Sequence, residues 1–347
     1  MDAIVLFPFA EYWWVYGIFT LLMLGVLALD LGVFHRQAHA VGLAEAATWS
    51  VVWVMLGLAV GAGLWWYAGT ALAAPERAAA LAILGESSGE AANRIGMEYL
   101  AGYVIEKALA VDNVFVWAMI FSSFSVPAQY QHRILFYGIL GAIIFRALFI
   151  AAGAILLQYQ WIVWLAGGFL ILTGIKMAVV GEHKLEPERN PVVRLLRRLL
   201  PVTPGLEGQR FFVRHDGLLM ATPLLVVLVL VEVSDIIFAI DSVPAIFAIT
   251  HEPLLVFTSN ICAILGLRAM YFLLAGVMDR FHLLKYGLSL ILVFVGVKML
   301  GEIVPGFALL LDAKGKFPIG WSLAIIGGIL AVSVVASLLV PPRRPAA

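Results

Sequence analysis

The chain has 347 residues, of which 63% are hydrophobic and only 13% charged, and its formal net charge is zero. A mean hydropathy of +1.01 excludes an ordinary soluble domain, in which about a quarter of the residues are charged, and makes this an integral membrane protein. The neutral balance gives no sign of a nucleic-acid partner. The single cysteine, Cys262, excludes an intrachain disulfide and a thiolate cluster for zinc, copper or iron–sulfur.

The first residues, MDAIVLFPFAEYWW, have neither a basic n-region nor a small-residue cleavage pattern, so no cleaved signal peptide is expected. Nine apolar segments of spanning length follow, at 12–33, 50–73, 98–121, 133–156, 160–180, 218–248, 254–277, 285–304 and 319–340. The predicted fold class is therefore an all-α membrane protein of about nine transmembrane helices. The first segment carries Asp30 in LALDLGVFHR. That acid is either a ligand contributed by a flanking helix or an interfacial acid beside His35 and Arg36. Ala74–Leu84 reads as a short surface helix. The sixth segment is too long for one straight span, and Pro223 and Pro244 predict bends or breaks near its ends. Before it, Asn190–Leu200 alternates apolar residues with arginines. It is either a short amphipathic helix on anionic lipid or a plain basic linker.

Lysine and arginine placement sets the expected orientation. With the amino terminus outside, the cytoplasmic side carries Arg36, Arg133, the basic residues of the 181–217 connection, Arg280, Lys285, Arg343 and Arg344. The outer side then carries only Arg77, Arg94, Lys314 and Lys316. The expected product is a multi-pass protein of the inner membrane with its carboxyl terminus in the cytoplasm.

Within the apolar segments stand acids. Glu232, Asp235 and Asp241 lie in EVSDIIFAIDSVP, and Glu106 and Asp112 in EKALAVDN. A buried charge costs several kcal/mol unless it is paired or bound to an ion. Aligning Asp112 with Asp241 sets Glu106 against Asp235. Downstream, GAIIFRALFIAAG and AILGLRAMYFLLAG set Arg146 against Arg268, and FLILTGIKM and LILVFVGVKML set Lys176 against Lys298. The chain thus divides into residues 1–97 (two helices and an outer loop), 98–180 (repeat 1), 181–217 (a basic cytoplasmic linker), 218–304 (repeat 2) and 305–347 (a final helix and tail). Three spans per copy predict an inverted repeat. Ion or substrate sites in such proteins sit near the midplane, at broken helices, and Asp241–Pro244 is the expected break, with Asp112–Asn113 its counterpart.

The donor set is oxygen-rich. The acids, with Asn113 and Ser242 beside the matched aspartates, suit a hard divalent cation such as Mg²⁺, Ca²⁺ or Mn²⁺. Glu232 and Asp235 share a helix face, whereas Asp235 and Asp241 do not, nor do Glu106 and Asp112. Each such pair therefore needs a broken helix or serves two places. Clustered carboxylates raise one another's pKa, so protons are the expected counter-ions. Arg146 and Arg268 either hold carboxylates and are released during transport or form static ion pairs. Lys176 and Lys298 read as snorkelling to the headgroups, and Lys107 as pairing with an acid of its own helix.

The stretches LDLGVF around Asp30, EKALAVDNVFVW at Glu106–Trp117 and EVSDIIFAIDSVPAI at Glu232–Ile246 resemble the signature stretches of the TerC family of integral membrane proteins. The resemblance covers about residues 12–340 and reaches to the wider lysine-exporter-like group. It implies manganese efflux across the cytoplasmic membrane, with no organic cofactor. The family's functional acids map onto Asp30, Glu106, Asp112, Glu232, Asp235 and Asp241. Some members are tied to tellurite resistance or alkaline conditions, but a carboxylate cluster would repel an oxyanion. The expected function is export of Mn²⁺ by alternating access, against protons. Rival readings are another cargo (Ca²⁺, Mg²⁺ or a cationic amino acid), a non-transporting membrane partner protein, and a membrane-embedded metal-dependent hydrolase. The sequence leaves the oligomeric state open.

Overall fold

The structure is a computed structural model and describes residues 5–29, 42–179, 190–215, 217–275, 281, 283–301 and 317–340. Asp30 lies outside the described residues, as do Arg36, Lys184, Arg189, Arg280, Lys314, Lys316, Arg343 and Arg344. In chain order the helices are α1 (Phe9–Leu29), α2 (Leu43–Ala71), α3 (Ala78–Leu84), α4 (Ser88–Ser123), α5 (Ala128–Leu156), α6 (Gln160–Val179) and α7 (Pro191–Leu199). A hairpin of β1 (Phe212–His215) and β2 (Leu218–Ala221) follows. Then come α8 (Pro223–Phe247), α9 (Pro253–Leu265), α10 (Leu267–Ala275), α11 (Leu284–Gly301) and α12 (Ile319–Leu339).

Local sequence explains where these elements begin and end. Ser87 and Glu90 form a reciprocal capping box at the start of α4. That helix runs 36 residues, or about 54 Å at 1.5 Å per residue. It stops before Ser125, whose φ of 49° is left-handed. Helices α7, α8 and α9 each open on a proline, Pro191, Pro223 and Pro253, where the missing N–H has no intrahelical partner to lose. Asn190 caps α7 by accepting from the Val192 N–H at 2.9 Å, so the amphipathic helix forms.

Two expectations about the sixth segment need correction. Its first residues are strand, not helix: Leu218–Ala221 pairs antiparallel with Phe212–His215, so the chain is not wholly α. From Pro223 one continuous helix runs to Phe247. Pro244 sits in the last turn, where its missing N–H removes one ladder bond without ending the helix. Asp241–Pro244 is therefore helical rather than unwound, with Pro244 leaving the Ile240 carbonyl without its i+4 donor, and Asp112–Asn113 is equally helical within α4. The break falls instead at Gly266, between α9 and α10, whose axes differ by 41°.

Among the described residues, seven helices are long and apolar enough to cross a membrane, or eight if the bent pair α9–α10 is one span. Helix α4 covers the predicted third span but is not among them. It carries Glu90, Arg94, Glu98, Glu106, Lys107 and Asp112 along its length. In compensation it is packed on many sides, against α2, α8, α9, α10 and α12.

Helix α5 packs along α8, α4 along α9, and α6 along α11. Lipid tails are as apolar as leucine, so such contacts depend on close fit rather than on the hydrophobic effect. The α6–α11 contact shows how close the fit is. A Cβ on Gly174 would meet the Ser289 carbonyl oxygen at 2.8 Å and Val293 at 2.8 Å; a Cβ on Gly296 would meet the Gly167 carbonyl oxygen at 2.8 Å and Ile171 at 2.8 Å. A shift of 122 positions, the offset that aligns Lys176 with Lys298, turns one contact set into the other. Gly174→Ala is expected to destabilise the protein by about 1–3 kcal/mol through backbone overpacking. Gly168→Ala, at a position facing open space, should be near neutral. Thermal unfolding of the purified protein in detergent checks this, and equal melting of the two variants would contradict it.

Candidate functional site

Helical periodicity selects which acids meet. On α4, Glu106 and Asn113 are seven residues apart and share a face; on α8, Asp235 and Ser242 do the same. These two faces meet around Arg146 of α5. Arg146 is 1% exposed, Glu106 0% and Asp235 1%. The Arg146 guanidinium forms an ion pair with Glu106. Its Nη2 donates to Asp235 Oδ1 at 3.3 Å. Its Nη1 donates to Asn260 Oδ1 of α9 at 3.0 Å and to Ser242 Oγ at 3.5 Å. Asn113 Nδ2 donates to Asp235 Oδ1 at 3.2 Å. Matched acids from both sequence repeats thus share one guanidinium. Glu106 Oε2 and Asp235 Oδ2 are buried without a hydrogen-bond partner among the described residues, so each carboxylate keeps an oxygen for another cation or a proton.

The remaining acids stand apart. Asp112 and Asp241 are each one position off the Arg146-facing register, and both are half-buried. Asp241 Oδ1 accepts from Thr173 Oγ1 of α6 at 3.4 Å, one turn before Lys176. Glu232 presses its carboxylate against α5 at Gly141, where any Cβ would collide with it. Among the described residues no three His, Cys, Asp or Glu side chains converge as a ready-made metal site. Of the acids singled out in the sequence, Glu106 and Asp235 are brought together across Arg146.

The other basic residues do not repeat that cluster. Arg268 is buried, but its Nη1 lies 3.1 Å from His132 Nε2 at the start of α5. Lys298 does not snorkel: it is buried, and its Nζ donates to the Ala248 carbonyl at 3.0 Å. Lys176 is exposed. Lys107 donates to the Ala263 carbonyl of α9 at 2.9 Å, a neighbouring helix rather than an acid of its own.

Asn260 carried a legible signal that the acids overshadowed, being a lone amide in the apolar run of α9. A second polar network was harder to foresee, because its acids stand near span ends. Buried Glu252, between α8 and α9, accepts the Leu6 and Phe7 N–H groups at 2.6 and 3.2 Å. Its own N–H donates to Thr250 Oγ1 at 3.2 Å, and Thr250 donates to Glu98 Oε2 at 2.5 Å. Arg94 pairs with Glu98 at 3.0 Å and Glu86 at 3.1 Å. Burial pushes the Glu252 carboxyl up to about 7, against the pull of the two N–H groups and Arg94, with Glu98 adding to the rise.

Comparison with known proteins places this arrangement. The family described as "Integral membrane protein TerC family" matches residues 91–345. The chain belongs to the TerC family. The matched region starts just inside α4 and includes every residue of the Arg146 cluster. Among similar proteins, "Putative membrane-bound redox modulator Alx" of Photorhabdus laumondii is 48% identical over 328 residues, covering 94% of each chain. The protein of the same name in Escherichia coli K12 is 47% identical over 332 residues, covering 95% of each. "Uncharacterized membrane protein STKORF319" of Myxococcus xanthus is 47% identical over 328 residues, covering 94% of this chain and 92% of its own. No solved structure matches.

Two stability predictions follow for this TerC-family chain. Arg146→Met leaves two buried carboxylates without their shared cation and should destabilise by about 3–5 kcal/mol. Adding Glu106→Gln and Asp235→Asn should restore much of the loss, and thermal unfolding of single and triple variants in detergent measures both. Glu252 binds its proton more tightly folded (about 7) than unfolded (about 4.5). Its stabilising contribution is therefore full below about pH 4.5 and is lost as pH rises through about 7, an effect of about 1–3 kcal/mol. Melting temperature should fall from pH 5 to pH 8 in wild type and less steeply in Glu252→Gln; parallel curves would contradict the assignment.

Proposed function

We propose that the chain exports Mn²⁺ across the cytoplasmic membrane by alternating access, in exchange for protons. The observation that supports this most strongly is the buried Glu106–Arg146–Asp235 cluster. A fixed cation there holds two carboxylates that water cannot solvate, while each retains an oxygen without a hydrogen-bond partner among the described residues. Arg146 brings one positive charge against two negative ones. A proton supplies the missing charge in one state, and a divalent cation in the other. When Mn²⁺ binds, the guanidinium gives up carboxylate oxygens to it; when Mn²⁺ leaves, Arg146 and a proton take its place. Oxygen donors alone suit Mn²⁺. Asp112, Asp241 and Glu232, on the same two helices, are the acids we assign to the ion's path, and Asp30 is the candidate contributed by the first helix.

The finer architecture belongs to the same proposal: nine spans, amino terminus outside, carboxyl terminus in the cytoplasm, and residues 98–180 and 218–304 as inverted repeats. The interchanged glycine contacts of α6 and α11 support that relation. So does the crossed pairing of α5 with α8 and of α4 with α9. The name of two of these relatives speaks of redox modulation. This chain has one cysteine, which is buried, so an intrachain dithiol cannot carry such a role.

The test is Mn²⁺ flux into proteoliposomes across an imposed pH gradient. Saturable Mn²⁺ movement with protons moving the other way is expected, reduced at least about tenfold, or 1.4 kcal/mol, by Asp112→Asn or Asp241→Asn. Absence of any divalent-ion flux in folded, inserted protein would favour the non-transporting partner instead.

A further inference from the structure

The break at Gly266 places an unusual demand on the chain. The end of α9 leaves carbonyls without their i+4 donors, and it points the negative end of a helix dipole into the bundle. The compensation comes from α4. Lys107 Nζ donates to the Ala263 carbonyl, three residues before the break, at 2.9 Å. The same ammonium fills the notch that the break opens, standing 2.5 Å from the place a Cβ on Gly266 would take. Trp53 of α2 closes another side, its Cβ 3.1 Å from that place, and the Tyr103 ring centre lies 6.0 Å from the ammonium. Among the described residues no carboxylate pairs with Lys107. Its neighbour Glu106 is turned to Arg146 on α5.

A helix-end carbonyl and an aromatic face, with no carboxylate among the contacts, form a donor set for one positive charge rather than two. Broken membrane helices commonly use freed carbonyls and C-terminal half-helix ends to hold monovalent cations. We propose that the α9–α10 break is a monovalent-cation site that the chain occupies with its own Lys107 ammonium. The tethered charge makes the bent span independent of free sodium or potassium. It also ties α4 to α9 at the residue next to the carboxylate that ties α4 to α5. The proposal concerns what fills the break and stands apart from the identity of the transported ion.

The experiment needs no transport assay. Wild type, Lys107→Ala and Lys107→Gln are purified in detergent and melted in ammonium, potassium, sodium or N-methylglucamine chloride at equal ionic strength. Wild type should melt alike in all four. Lys107→Ala should melt lower in N-methylglucamine and recover saturably with ammonium or a small alkali cation, as expected for a ligand that binds only the folded state. Lys107→Gln offers Ala263 a donor without the charge and should melt below wild type in every salt. If Lys107→Ala is recovered only when purified in ammonium chloride, the site is equally supported. A Lys107→Gln protein that melts with wild type would overturn the proposal, as would a Lys107→Ala protein that no cation stabilises or rescues.

Discussion

A guanidinium enclosed in a membrane-spanning bundle has to be met by negative charge and hydrogen-bond acceptors, because no bulk water is there to solvate it. Arg146 meets this demand with groups from three other helices: Glu106 of α4, Asp235 and Ser242 of α8, and Asn260 of α9. The four helices that carry these groups are therefore coupled through one side chain. Any state of the protein that withdraws Arg146 must supply another cation or protons to the carboxylates it leaves. In the proposed transport reaction, such a requirement links ion occupancy to helix arrangement without any further device. The same rule shapes the rest of the bundle, where Lys107 and Lys298 lie on backbone carbonyls near the ends of α9 and α8.

Much of this was legible in the residues. The acids and Arg146 stand out because charge in an apolar run demands a partner, and the matched spacing of the two copies pointed to one shared centre. Which acids would meet was also written in the sequence, but at a spacing of seven rather than six. Glu106 with Asn113, and Asp235 with Ser242, each return to the same helix face, whereas Asp112 and Asp241 fall one position off it. The sequence left open either a broken helix or two separate acidic places; both helices run unbroken through these residues, and Asp112 and Asp241 lie off the face that meets Arg146.

The position of the helix break was not legible. Pro244 is the stronger local signal, yet proline in the last turn of a helix removes a single bond and α8 accommodates it. Gly266 is the weaker local signal, but the neighbouring α4 brings an ammonium to the carbonyls that the bend exposes. Tertiary compensation, not local propensity, decides which irregularity is tolerated inside a membrane. The asymmetry between Arg146 and Arg268 has a similar origin. Their sequence positions match, but Arg268 faces His132, a contact made by the start of α5 that no helical pattern announces.

The most direct measurement is Mn²⁺ titration onto the purified protein, followed by loss of the sharp electron paramagnetic resonance signal of the aqueous ion. The account predicts saturable binding in wild type that weakens at least about tenfold, or 1.4 kcal/mol, in Glu106→Gln/Asp235→Asn, with protons released as Mn²⁺ binds wild type. Unchanged Mn²⁺ affinity in that folded double variant would contradict it and leave the Arg146 cluster as a structural ion pair alone.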